Sequence, residues 1–79
     1  MEEVLLFSRS GQSWSKEEDE KLNKLYNVDL LDIIEISKLH ERMPGGILSR
    51  LRKNGIIIDT RLARGYQDFI NNPIYKKEK

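Results

Sequence analysis

Between Trp14 and Gly55 the chain carries three helix-start signals in succession, followed by a stop. Ser15 with Glu18, and Asp32 with Glu35, have the spacing of capping boxes, in which the cap side chain and the acid three residues on satisfy each other's backbone N–H groups. Glu17, Glu18, Asp19 and Glu20 place negative charge on the first turn of the first helix, where the helix dipole favours it. Pro44 suits the first position of a third helix, because its missing N–H would be unpaired there anyway, and Gly55 supplies the stop. These signals predict a first helix starting at Lys16, a second over 32–39 and a third opening at Pro44, with 40–43 as the turn between the last two.

Apolar residues recur at helical spacing inside each of these segments. Leu22, Leu25 and Tyr26 fall on one side of the first helix, with Trp14 placed to fold back over it; Ile33, Ile34, Ile36 and Leu39 follow in the second. In the third, Ile47 and Leu51 share a side with Arg50 and Asn54, while Gly45, Leu48, Ser49, Arg52 and Lys53 occupy the other. One side is expected to pack and the other to remain open to a partner.

Outside these helices the pattern changes. Ile56, Ile57 and Ile58 form a short β-branched run that reads as a strand, with the apolar run at 4–7 as its natural partner. Asp59 or Thr60 can cap a fourth helix in which Leu62, Tyr66, Phe69 and Ile70 recur, interrupted mildly by Gly65 and ended before Pro73. The expected organisation is an extension with a short strand at 1–13, a three-helix core at 14–55, a strand and fourth helix packing on that core at 56–72, and a flexible tail at 73–79. The fold class is therefore mostly α, with a short two-stranded β pairing and an additional C-terminal helix.

Composition narrows the functions open to such a chain. Its 79 residues suffice for one small domain, and cysteine is absent, so neither a disulfide framework nor a thiolate metal site supplements the core. A lone His40, read as a polar loop residue in the turn, makes no metal site without several carboxylate partners, and no cofactor is expected. The run at 4–7 is too short for a membrane span or a signal's apolar region, and acids precede it where a signal carries positive charge, so the expected location is intracellular: nuclear in a eukaryote, cytoplasmic otherwise. The consecutive acids of the first helix sit on an exposed turn with no cleft signal, and the chain does not read as an enzyme.

The net charge of +1 conceals a division of sign. Residues 15–41 hold Lys16, Lys21, Lys24 and Lys38 against Glu17, Glu18, Asp19, Glu20, Asp29, Asp32, Glu35 and Glu41, whereas residues 42–64 hold Arg42, Arg50, Arg52, Lys53, Arg61 and Arg64 against Asp59 alone. Phosphate contacts release condensed counterions wherever cations cluster, so a local basic face matters more than overall charge, and the third helix is the segment directed at a polyanion.

The string Trp14-Ser15-Lys16-Glu17-Glu18-Asp19, with Leu22 and Leu25 following, resembles the opening of Myb/SANT-type repeats. Residues 42–55, from Arg42 and Met43 through Pro44, Gly45, Gly46, Ile47, Leu48, Ser49, Arg50, Leu51, Arg52, Lys53 and Asn54 to Gly55, look like the third helix of shorter, homeodomain-like variants. The two matches fall in the order such domains require and cover roughly half the chain. The resemblance implies a tri-helical helix-turn-helix domain whose third helix enters the major groove of double-stranded DNA, in transcription regulation or DNA organisation. It also implies that Arg50 pairs with an acid of the first helix such as Glu18, in a structural role.

On this reading Arg52 and Lys53 contact phosphates or base edges, with Leu48 on the same side and Ser49 and Gly45 allowing close approach; Arg42, Arg61 and Arg64 hold the DNA backbone. The bland alternative for Arg52 and Lys53 is a solvated basic helix end that complements the dipole. The rival function is a SANT-like interaction module that binds a basic protein segment through the acidic first two helices. The apolar stripe of the fourth helix completes the core or, alternatively, forms a homodimer or protein contact.

Overall fold

The computed structural model describes residue 9, residues 11–72 and residue 74. In chain order the elements are α1 (Lys16–Asn23), a π-helical turn (Lys24–Val28), α2 (Ile33–His40), α3 (Pro44–Lys53), a 3-10 turn (Thr60–Leu62) and α4 (Tyr66–Asn71). The protein is mostly helical, and no strand occurs among the described residues. Helices of eight to ten residues are marginal alone, so their order comes from end chemistry and from the shared core.

Each expected helix start is occupied. Ser15 Oγ accepts from the Glu18 N–H at 3.1 Å and opens α1 at Lys16. Only half of that capping box forms, because the Glu18 side chain turns into the protein instead of back to the cap. In α2 the box closes fully: Asp32 Oδ1 accepts from the Glu35 N–H at 2.9 Å, and Glu35 Oε1 accepts from the Asp32 N–H at 3.2 Å. Pro44 takes the first position of α3, with Met43 extended before it and offering no side-chain cap.

The ends follow from left-handed residues. Gly55 adopts φ +77°, and behind it the Ile56 N–H reaches Leu51 O at 2.9 Å while the Gly55 N–H reaches Arg52 O at 3.0 Å, the bond pair of a Schellman motif. Leu30 ends the π turn with φ 60° and Glu41 ends α2 with φ 56°, so two non-glycine residues accept a conformation that usually falls to glycine. Glu41, Arg42 and Met43 are all that separates α2 from α3.

The core gathers Leu22 and Tyr26, Ile33 and Ile36, Ile47, Leu48 and Leu51, and then Ile57 and Ala63. Trp14, Leu25, Leu31, Ile34, Tyr66 and Phe69 pack around it. Leu48, expected on the open side of the third helix, is 5% exposed: α3 buries Pro44, Ile47, Leu48 and Leu51 as one stripe. Leu39, expected inside, is half exposed.

After α3 the structure departs from the expected strand and continuous helix. Ile57 turns into the core while Ile58 is 82% exposed, and 56–58 forms bends rather than a strand. Its expected partner at 4–7 lies outside the described residues, as does all of the expected tail except Pro73's neighbour Ile74. Asp59 caps only a 3-10 turn, accepting from the Arg61 N–H at 2.9 Å. Gly65, with φ +92°, then separates that turn from α4, so the interruption is complete. Ala63 fills the core position, Leu62 is left 66% exposed, and α4 packs on α2. The Arg64 carbonyl accepts from the Ile33 N–H at 2.9 Å, fastening this segment to the start of α2.

Candidate nucleic-acid interface

Which charges can meet a partner depends on which ones the fold has already used. Glu18 is buried, and its carboxylate collects four donors: Arg42 Nε at 2.7 Å and Nη2 at 2.9 Å, His40 Nδ1 at 2.8 Å, and Arg9 Nη2 at 2.8 Å. Arg42 donates further to the carbonyls of Gln12 at 2.9 Å and Ser13 at 3.1 Å, and its guanidinium lies 4.2 Å from the centre of the Trp14 ring. Donation from Arg42 outweighs burial and holds the Glu18 carboxyl down at about 2. Burial lowers the His40 pKa despite the carboxylate beside it. His40 is the last residue of α2 and sits inside, not in a solvated turn.

Asp19, the next residue, holds the C-terminal half of α3. Arg50 Nε and Nη2 reach its two oxygens at 2.8 and 2.7 Å, and Asn54 Nδ2 reaches Oδ1 at 3.1 Å. The structural role expected of Arg50 is present, but its partner is Asp19 rather than Glu18, because Glu18 faces the turn before α3 and Asp19 faces α3 itself. Donation from Arg50 lowers the Asp19 pKa.

Four of the residues expected to meet DNA are thereby occupied elsewhere. Arg42 is 3% exposed and fully engaged, so it does not stand at the surface to hold a phosphate. Leu48 belongs to the core. Arg64 is exposed, yet its Nη1 donates to the carbonyls of Tyr26 at 3.1 Å and Leu31 at 2.6 Å, its guanidinium stacks 4.3 Å from the Tyr26 ring, and its backbone N–H donates to the Tyr26 hydroxyl at 3.0 Å. It ties the chain after the 3-10 turn to the π turn. Gly45 is half-buried, and a Cβ there would stand 3.7 Å from Phe69 Cζ, so α4 covers it in place of a ligand.

Ser49, Arg52 and Lys53 remain together on the exposed side of α3 and line one open groove. No hydrogen bond or ion pair joins their side chains to another described residue. The opposite wall is Thr60, which the sequence reading placed only as a cap. It reaches the groove because the Gly55 turn reverses the chain and Ile57 pins the returning segment in the core; nothing in the local sequence signals that approach. Arg61 is exposed and clasps Asp59, with Nη2 to Oδ2 at 2.7 Å and Nε to Oδ1 at 3.2 Å. This side-chain donation holds the Asp59 carboxyl down at about 2, and the charge of nearby Arg52 contributes less.

No protein-family model, curated protein or solved structure matches the chain. No helix among the described residues is long and apolar enough to cross a membrane.

Proposed function

We propose that this protein is a Myb-like helix-turn-helix domain that binds double-stranded DNA, with α2 and the short Glu41-Arg42-Met43 turn presenting α3 to the major groove. The observation that carries this reading is the sorting of the arginines. Arg42, Arg50 and Arg64 are engaged with groups of the fold, whereas Arg52 and Lys53 share an open groove with Ser49 and make no ion pair among the described residues. Two unneutralised cations on one face of an exposed helix attract a polyanion. Binding of this kind serves transcription regulation or DNA organisation.

The rival reading, an acidic module for a basic protein segment, has less support. Glu18 and Asp19 already satisfy arginines of the fold, which leaves Glu17 and Glu20 as exposed acids of α1 and Glu35, whose side chain caps its own helix, as the exposed acid of α2.

The test is a fluorescence-anisotropy titration of a labelled duplex at several salt concentrations. Each neutralised phosphate contributes about −0.9 to the slope of log affinity against log salt, so a slope of roughly −2 to −4 is expected. Arg52→Glu combined with Lys53→Glu should lower affinity at least about 100-fold at low salt while circular dichroism keeps its helical signal. Unchanged affinity in that variant would overturn the proposal.

A further inference from the structure

Resting on the DNA-binding reading, we propose that Thr60 is a phosphate-contacting residue. Its hydroxyl, with Ser49, Arg52 and Lys53 across the groove, forms a two-walled seat for one phosphodiester group of the duplex backbone.

Ser49, Arg52 and Lys53 stand at i, i+3 and i+4 on α3, which puts them side by side on one face. Thr60 closes the groove from a separate element, the 3-10 turn. The lining is therefore two hydroxyl-bearing and two basic side chains, with no carboxylate among the four. Neither hydroxyl is hydrogen-bonded to another described residue, so both can turn toward an acceptor. A tetrahedral anion with several acceptor oxygens satisfies such a set, whereas a flat base edge uses only one or two of them.

Size and electrostatics agree with this assignment. The groove measures about 360 Å³, at the small end of the roughly 300–1,000 Å³ of ligand clefts, and is open to solvent. It suits a backbone group that approaches from outside. Asp59 is the acid placed to repel a phosphate, and it lines the adjoining hollow with Arg52, Ile58 and Thr60. Arg61 binds both of its oxygens and offsets part of that charge.

The two walls are held rigidly. Arg50 and Asn54 fix the C-terminal half of α3 to Asp19, and Asp59 caps the 3-10 turn that carries Thr60. Little ordering is then needed when a phosphate enters, and preorganisation of this kind favours binding.

Thr60→Val removes the hydroxyl at nearly constant volume, and Thr60→Ser retains it. Each variant is titrated against two duplexes of unrelated sequence over a range of salt, with thermal melting to check the fold. A phosphate contact carries no sequence information, so Thr60→Val should weaken both duplexes equally, by about ten-fold, and Thr60→Ser should recover most of the loss. The salt slope should stay unchanged in Thr60→Val and become shallower by about 0.9 in Arg52→Gln, because only the second removes a cation.

Wild-type affinity in Thr60→Val, with Arg52→Gln still weakened, would overturn the seat and leave the DNA-binding reading intact. A loss confined to one duplex would reassign Thr60 to a base contact and overturn it too. No binding of either duplex by the wild-type protein at low salt would remove both proposals together.

Discussion

Arg42 Nε lies 2.7 Å from Glu18 Oε2, and Arg42 Nη2 lies 2.9 Å from Glu18 Oε1, so the turn before α3 is locked bidentately onto a carboxylate 24 residues earlier. Trp14 covers the guanidinium, and His40 and Arg9 complete the carboxylate's partners. The orientation of α3 against α1 is set by this buried pair and by the neighbouring Arg50–Asp19 pair, so the groove is only as well defined as these contacts.

Breaking the buried pair should be severe. Arg42→Ala leaves the Glu18 carboxylate buried without its main donor, a loss of about 3–5 kcal/mol for such pairs. A domain of this size has roughly 3–5 kcal/mol in all, so urea melts should find the variant close to unfolded at room temperature. Arg42→Lys should fare little better, because an ammonium cannot reproduce the planar fork or reach the Gln12 and Ser13 carbonyls as well. A variant with wild-type stability would show that α3 is positioned by its apolar stripe alone.

Acid should destabilise the protein in two stages. Burial holds the His40 pKa below the ordinary 6.5, so the unfolded chain binds that proton first, and stability begins to decline once the pH falls below about 6.5. The Glu18 pKa is about 2 in the fold against 4.5 ordinarily, so its contribution is present above pH 4.5 and is lost as the pH falls toward about 2. Denaturant midpoints measured across this range should show both stages. His40→Asn, which keeps a donor but does not titrate, should remove the first and keep the second.

Gly65 and Gly46 should respond oppositely to alanine. At Gly65 φ is +92°, and a Cβ would stand 2.9 Å from Asp32 Cβ and 3.2 Å from the Ile33 nitrogen, at the capped start of α2. Gly65→Ala should cost about 1–3 kcal/mol. Gly46 is exposed within α3 and a Cβ there meets nothing within 4 Å, so Gly46→Ala should gain about 0.5–1 kcal/mol. Thermal melts of the two variants, compared side by side, check the pair.

Asp59 should restrain DNA affinity. Its carboxylate stays ionised above about pH 2 and lies beside Arg52, while it occupies Arg61. Asp59→Asn removes a negative charge from the edge of the groove and weakens the hold on Arg61, and should raise duplex affinity about three-fold at low salt, the scale of an exposed charge interaction. The gain should vanish at high salt as screening increases. A loss of affinity would show that the cap at Asp59 matters more than its charge.

The helix boundaries were legible because their causes are local. Ser15 and the Asp32 and Glu35 pair act through backbone groups three residues away, Pro44 through its missing N–H and Gly55 through its own positive φ, and each does so where the spacing indicated. Periodicity likewise located Leu22, Tyr26, Ile33, Ile36, Ile47 and Leu51 in the core. It misplaces Leu48, which is buried, and Leu39, which is half exposed, and it fails where the helix does not run on: without a continuous helix through Gly65, Ala63 is buried and Leu62 is exposed. The isoleucine run had strand composition, but among the described residues no strand forms and only Ile57 is buried outright.

The candidate site was legible only in part, and for a different reason. Sequence alone located the basic segment and placed Ser49, Arg52 and Lys53 on one side of α3, because charge and helical spacing are properties of neighbours. Arg42, Arg50, Arg52, Arg61 and Arg64 carry the same side chain, and nothing local distinguishes an arginine that braces the fold from one left open to a ligand. That distinction rests on contacts across 24 residues to Glu18, 31 to Asp19 and 38 to Tyr26, where burial and competing acceptors decide which charge is neutralised. Thr60 joins the groove for the same reason: packing of Ile57, not its own neighbourhood, brings the 3-10 turn back beside α3.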